Sequence, residues 1–179
     1  LIGGNTGSGK SVLVQCLLWQ AIQQADVVYV ADFKGGVDFS YVWQEFAYII
    51  TEEKKLLVLL NHLADTLEER KRLFKEVDAA NITEYREKSG DYMQRIVFAC
   101  DEVAELLDKT GADKSRKELL AQIEARLALI ARQGRAFGIH LILATQRPDA
   151  NILPGQIKNN MNIRICGRAD TTLSTIIIG

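Results

Sequence analysis

The chain is poor in several features that often decide a protein's class. It has three cysteines in 179 residues, Cys16, Cys100 and Cys166, far apart, odd in number and set in apolar stretches. Such a pattern excludes a disulfide scaffold, offers no metal-ligand spacing and fits a reducing compartment. No run approaches the ~18 consecutive apolar residues of a membrane-spanning helix. No signal-peptide pattern, internal repeat or Pro/Gly/Ser-rich linker is found. Neither charge dominates: 22 Lys+Arg stand against 23 Asp+Glu, a net of −1. That excludes a histone-like basic protein and leaves nucleic acid open as a partner. What is present is ordinary for a globular chain, with 47% hydrophobic and 25% charged residues. Disordered, collagen-like and low-complexity classes are therefore excluded, and the length fits one domain.

Charge is unevenly placed. Residues 131–179 hold Arg132, Arg135, Arg147, Lys158, Arg164 and Arg168 against Asp149 and Asp170, a net of +4 that leaves −5 for the rest. A positive third on a neutral chain points weakly to a polyanion-facing surface, and equally fits a solvated face.

Apolar β-branched runs alternate with longer stretches of helical period, which predicts an α/β fold with a parallel sheet. Strands are expected at Leu1-Ile2 (a stump), Val27–Ala31, Ile96–Cys100, Ile139–Ala144 and Asn162–Cys166. Helices are expected over Lys10–Gln24 (Leu13, Leu17, Leu18 and Ala21 on one face), from Thr51 as N-cap to about Val77, over Glu102–Asp108 and over Lys114–Arg132. Residues 151–161 read as a loop with a helical turn. Trp19 and Trp43 read as core, and His62 and His140 as structural. Both ends read as cut, as though one domain spanning 1–179 had been excised from a larger protein.

The chemistry starts at Gly4-Asn5-Thr6-Gly7-Ser8-Gly9-Lys10-Ser11, which fits G-x-x-x-x-G-K-[ST] in full. Glycine permits backbone angles closed to other residues, so successive amides can turn toward an anion and cradle phosphates. The following helix adds its positive end. Lys10 is expected to reach the β- and γ-phosphates of ATP, and the Ser11 hydroxyl to bind Mg²⁺. A buried strand ends in Asp101-Glu102. An acid at such a tip holds the Mg²⁺ shell in nucleotide-hydrolysing enzymes of this loop type, which suits Asp101. Glu102 then suits the base that polarises water. The alternative is an Asp-Glu pair that merely opens the next helix. Thr145 and Gln146 end another strand, where they either face the γ-phosphate or form an ordinary polar strand end. Asp32-Phe33-Lys34-Gly35-Gly36 ends a third strand at the same crevice, or is simply a glycine-rich turn.

The sequence resembles the motor domain of the FtsK/SpoIIIE family. Residues 4–11 and 96–102 carry the likeness, and the stretch Ala131-Arg-Gln-Gly-Arg-Ala-Phe-Gly-Ile-His-Leu-Ile-Leu-Ala-Thr-Gln-Arg-Pro148 carries it most specifically, continued by Ile157–Arg164. The resemblance implies a RecA-like, additional-strand P-loop ATPase that assembles into a hexameric ring, with nucleotide between subunits and double-stranded DNA in the pore. Carried over by position, Lys10 and Ser11 match the phosphate and Mg²⁺ ligands, Asp101 and Glu102 the Mg²⁺-side acid and catalytic glutamate, and Gln146 the sensor-like residue. An arginine acting in trans is expected, with Arg132 and Arg135 as candidates and Arg70 and Arg72 behind them. Residues 149–160 are the candidate pore loop, in which Gln156, Lys158, Asn159 and Asn160 suit phosphate contact without base readout. The parent protein is expected to work in the cytoplasm, at the inner face of a membrane.

The chain departs from the chromosome translocases where they commonly show Asp-Pro-Lys. Its Asp32-Phe33-Lys34-Gly35-Gly36 looks more like the type VII secretion ATPases and the coupling proteins of mobile elements. No winged-helix module lies within these residues, so sequence reading on DNA is not expected of them. Three readings are therefore set against each other: a DNA translocase or conjugative coupling ATPase, a secretion ATPase with a protein substrate, and a nucleotide-binding module without turnover.

Overall fold

The computed structural model describes residues 1–34, 38–146 and 153–179. Its centre is a sheet of six parallel strands: β1 (Ile2–Gly3), β2 (Val27–Ala31), β3 (Tyr48–Ile50), β4 (Ile96–Cys100), β5 (Ile139–Thr145) and β6 (Ile165–Cys166). The spatial order is β3-β2-β4-β5-β1-β6. β5 thus lies between β1, which feeds the phosphate loop, and β4, which ends at Asp101. That is the additional-strand arrangement.

The strands are apolar throughout because both faces are covered. On one face α1 (Lys10–Gln23) sets Val14, Leu18 and Ala21 against Val28, Val30, Val97 and Ala99. On the other, α2 (Glu53–Glu76) and α5 (Lys114–Gln133) cover Ile96, Phe98, Cys100 and Leu143. The buried face of α2 runs Leu56, Leu60, Leu63, Leu67, Arg70, Phe74, a stripe of alternating three- and four-residue steps. Each fully buried leucine there contributes about 1.5–3 kcal/mol.

Smaller elements complete the layers. A 3₁₀ turn (Tyr41–Glu45) leads to β3, and α3 (Ile82–Ser89) is capped by Asn81, whose side chain accepts from the Thr83 and Glu84 amides. α4 (Val103–Leu107) follows β4, a 3₁₀ turn (Gly134–Phe137) joins α5 to β5, and α6 (Gly155–Lys158) precedes β6. α7 (Thr171–Ile178) is capped by Asp170 and lays Ile177 on β1, where a Cβ at Gly3 would come within 2.3 Å of it.

Several expectations are corrected. α2 starts at Glu53, with Glu52 rather than Thr51 in the N-cap position and no side-chain cap bond. The last strand is two residues long, not five: its register with β1 begins at Ile165, although the Ile163 carbonyl before it already accepts from the Leu1 amine (2.8 Å). On α1 the line 14, 18, 21 is buried, while Leu13 and Leu17 are half-buried, as 100° per residue requires. Trp19 is not core: it is 45% exposed and meets Trp43 and Phe46 edge-on. Cys16 and His62 are exposed rather than in apolar settings. β3, α3 and α7 were not expected. Among the described residues, no helix is long and apolar enough to cross a membrane.

Candidate active site

The C-terminal tips of β1, β4, β5 and β2 converge on one crevice. From β1 the chain turns through residues 4–9 into α1. Gly7 (φ 77°) and Gly9 (φ 85°) take left-handed angles that other residues resist. Gly4 is required for a different reason: a Cβ there would lie 2.4 Å from Ser8 Oγ. The loop is pinned to its neighbours, since the Gly4 amide donates to Thr145 O (3.3 Å) and the Asn5 amide to Arg168 O (2.9 Å). No side chain caps α1, and no acid sits in its first turn. The helix start is therefore open to an anion, and among the described residues Ser8 Oγ is buried with no hydrogen-bond partner.

Lys10, 6% exposed, donates its ammonium to Asp101 Oδ1 (2.6 Å) and to the Asp101 carbonyl (2.7 Å). A second lysine, Lys34, donates to Asp101 Oδ2 (2.6 Å). Ser11 Oγ lies 3.4 Å from both Asp101 oxygens and 3.3 Å from Asp38 Oδ2. Burial alone would raise the Asp101 carboxyl pKa, but hydrogen bonds and charge from Lys10 and Lys34 hold it below the ordinary carboxylate range. The neighbouring Cys100 thiol, wholly buried, is pushed up to about 12 by desolvation and stays neutral. It is an inert packing residue.

Glu102 occupies the N-cap position of α4, yet its side chain does not cap that helix. It turns across to β5, accepting from Thr145 Oγ1 (2.6 Å) and from the Gln146 amide (2.9 Å to Oε2). A helix-opening role therefore does not explain this acid. Oε2 keeps a lone pair that can take a proton from water. The Gln146 side chain in turn accepts from Thr6 Oγ1 (2.7 Å), which ties the tip of β5 to the phosphate loop.

The donor set fits Mg²⁺. One carboxylate and one hydroxyl, with room for phosphate oxygens, is the sparse protein shell this ion takes. No cluster of three His, Cys, Asp or Glu suited to a metal exists among the described residues.

Other expected residues lie elsewhere. Arg132 and Arg135 are exposed, at and just beyond the C-terminal end of α5, by the start of β5 and so at the sheet edge opposite the phosphate loop. Arg70 is corrected: at 7% exposure it donates to the carbonyls of Phe137 and Gln94 (both 2.7 Å), so it clips α2 to two loops and cannot serve a neighbouring subunit. Arg72 pairs with Glu76 on the helix surface. Of the expected pore loop, residues 149–152 lie outside the described residues, as do Gly35, Gly36, Arg147 and Pro148 of the motifs. In the described part Gln156 and Asn159 are exposed on or beside α6, and Lys158 and Asn160 are half-buried. Sequence reasoning missed Asp38, and missed that Lys34 reaches Asp101. Both contacts span dozens of residues, and only the acid-rich composition of the strand tips hints at a cation there.

The model of the FtsK/SpoIIIE family matches residues 1–130. The chain belongs to the FtsK/SpoIIIE family. It is 32% identical over 190 residues to the DNA translocase FtsK of Campylobacter jejuni subsp. jejuni serotype O:23/36 (strain 81-176), covering 99% of this chain and 19% of that protein. It is 31% identical over 176 residues to the DNA translocase SftA of Bacillus subtilis (strain 168), covering 92% and 18%. The chain thus spans about a fifth of these curated relatives. Among solved structures, the pCW3 conjugation coupling protein TcpA, a monomer form with ATPγS, superposes with a TM-score of 0.94 at 42% identity, over 99% of this chain and 51% of that one. The cytoplasmic domain of EssC has a TM-score of 0.80 at 22% identity, over 99% and 34%. This second likeness is one of fold. The FtsK/SpoIIIE domain described here therefore carries the P-loop ATPase fold, with Lys10, Ser11, Asp101, Glu102 and Gln146 gathered in one crevice.

Proposed function

We propose that this domain binds ATP with Mg²⁺ at residues 4–11 and hydrolyses it to move double-stranded DNA. The observation that carries the reading is the convergence of Lys10, Ser11, Asp101 and Glu102 within one crevice. It is supported by 42% identity to a conjugation coupling protein solved with ATPγS. Lys10 and the loop amides hold the β- and γ-phosphates. Ser11 and Asp101 would hold Mg²⁺, which would supply neutralising charge to the phosphate oxygens. Glu102, fixed by Thr145 and Gln146, orients water for in-line attack. Gln146 senses loss of the γ-phosphate and passes it to Thr6 in the loop. Little covalent chemistry is needed, so positioned charge dominates the rate.

The ring assembly belongs to this proposal. Arg132 and Arg135 lie too far from their own phosphate loop to serve it, and as exposed residues they remain the candidates to complete a neighbour's site. Gln156, Lys158 and Asn159 are proposed to meet the DNA backbone. The proposal includes a cytoplasmic setting at the inner face of a membrane for the parent protein.

The test is ATP hydrolysis by the intact parent protein with and without linear double-stranded DNA, alongside Glu102→Gln. Hydrolysis is expected to rise several-fold with DNA, steeply weakened by salt. In the variant it is expected to fall by about 10²–10⁴-fold while nucleotide still binds. Wild-type hydrolysis that ignores DNA at low salt would remove the DNA reading and favour a protein substrate. A Glu102→Gln enzyme with unchanged turnover would remove the assigned base.

A further inference from the structure

The Asp101 carboxylate carries one more cation than a phosphate site requires. Lys10 takes Oδ1 and Lys34 takes Oδ2, each at 2.6 Å, while Ser11 Oγ stands 3.4 Å from both oxygens. The carboxylate is thus enclosed by two ammonium groups and the hydroxyl that would share Mg²⁺ with it. We propose that Lys34 is a resident cation of the Mg²⁺ site, competing with Mg²⁺ for Asp101, so that loading the ion requires Lys34 to withdraw. This rests on the ATP-site reading above and adds to it a residue that sets the site's Mg²⁺ threshold.

Lys34 rather than Lys10 is the cation that yields. Lys10 is the first residue of α1, its side chain is buried, and a second bond to the Asp101 carbonyl holds it in place. The Lys34 side chain is 26% exposed and makes one described side-chain contact, the one to Asp101. Its backbone is fixed, because the Lys34 amide donates to Asp32 Oδ1 (2.9 Å) in a tight turn after β2. The stem can therefore swing about a set origin. The same place attracts a stronger cation. Asp101, Glu102 and Asp38 all act on the Lys34 ammonium, and Asp38 Oδ2 also lies 3.3 Å from Ser11 Oγ. Three carboxylates facing two ammonium groups leave a net negative locus, where a divalent ion outcompetes a monovalent one once phosphate oxygens complete its shell.

The test is nucleotide binding without turnover. A fluorescent ADP analogue at fixed concentration is titrated with Mg²⁺ from an EDTA-treated start, for the purified wild-type chain, Lys34→Ala, Lys34→Gln and Lys34→Arg. Lys34→Ala and Lys34→Gln are expected to reach half-maximal binding at Mg²⁺ concentrations about tenfold below wild type. Lys34→Arg, which keeps the charge, is expected to stay within about twofold of wild type. Gln retains stem and polarity, so it carries the measurement if the alanine chain does not fold. Neutral variants with an unchanged or higher Mg²⁺ threshold overturn the proposal while leaving the ATP site intact. A wild-type chain that binds no nucleotide at any Mg²⁺ concentration overturns both.

Discussion

The two ends of β5 solve different problems with the same vocabulary of glycine and arginine or lysine. At its C-terminal tip, glycines open the backbone toward an anion, and a buried and a half-buried lysine answer a buried acid. At its N-terminal end, glycines close the backbone. A Cβ at Gly134 would lie 2.6 Å from the Ile139 carbonyl, and one at Gly138 (φ 72°) 2.3 Å from Ile82 Cδ1. The buried cation there, Arg70, is held by two backbone carbonyls. Beside this corner lies an apolar cavity of about 340 Å³ bounded by Leu1, Ile130, Arg135, His140 and Met161. The stretch 131–148 that carries the strongest family likeness runs through both ends. Of its described residues, the first half builds a corner, and Ala144 to Gln146 reach the crevice. A signature is therefore not a site.

The comparison can be broken by crossing the two ends. The largest effect is expected from Lys10→Ala, which removes the ammonium meant for the phosphates and leaves Asp101 paired with Lys34. ATP turnover should fall on the order of 10²–10³-fold, with the melting temperature little changed. Gly138→Ala should do the reverse. A left-handed φ and a clash with Ile82 should together cost about 2–4 kcal/mol in denaturant unfolding, with nucleotide affinity per folded molecule unchanged. A Gly138→Ala chain with wild-type stability but weakened nucleotide binding would show that the ends are not separable.

How much of this was legible follows from the range of each interaction. The phosphate loop, Asp101-Glu102 and the main strands are local patterns of spacing and apolarity, and they could be read directly. Lys34 on Asp101 could not, because the pair is 67 residues apart and joined only by the pairing of β2 with β4. β3 escaped notice because three residues with Tyr48 exposed give too short a pattern. Arg70 was misread although a signal existed: it continues the 56, 60, 63, 67 stripe of α2, and a basic residue inside an apolar stripe faces inward.

The smallest effect sharpens the corner end. Burial lowers the His140 pKa, and Arg95, Arg135 and Arg70 add to this against Asp26. A base whose folded pKa lies below its unfolded value of 6.5 takes up its proton at a cost. Stability should therefore fall as pH drops through 6.5 toward the lowered value and be fully restored above 6.5. Melting temperatures between pH 5 and 8 should show a shallow slope that His140→Gln flattens. A slope that survives the substitution would assign it to another group.

The strand order has a mechanical consequence. β4 is bonded on both sides along its length, and the tip of β5 is bonded to β1, so Asp101, Glu102 and Gln146 stand on the stiff part of the molecule. Lys34 reaches Asp101 by a long side chain from a backbone anchored at Asp32. In elastic terms the carboxylates are the fixed frame and that cation is the spring, so differences between nucleotide states should be stored in where Lys34 rests rather than in any rearrangement of the acids.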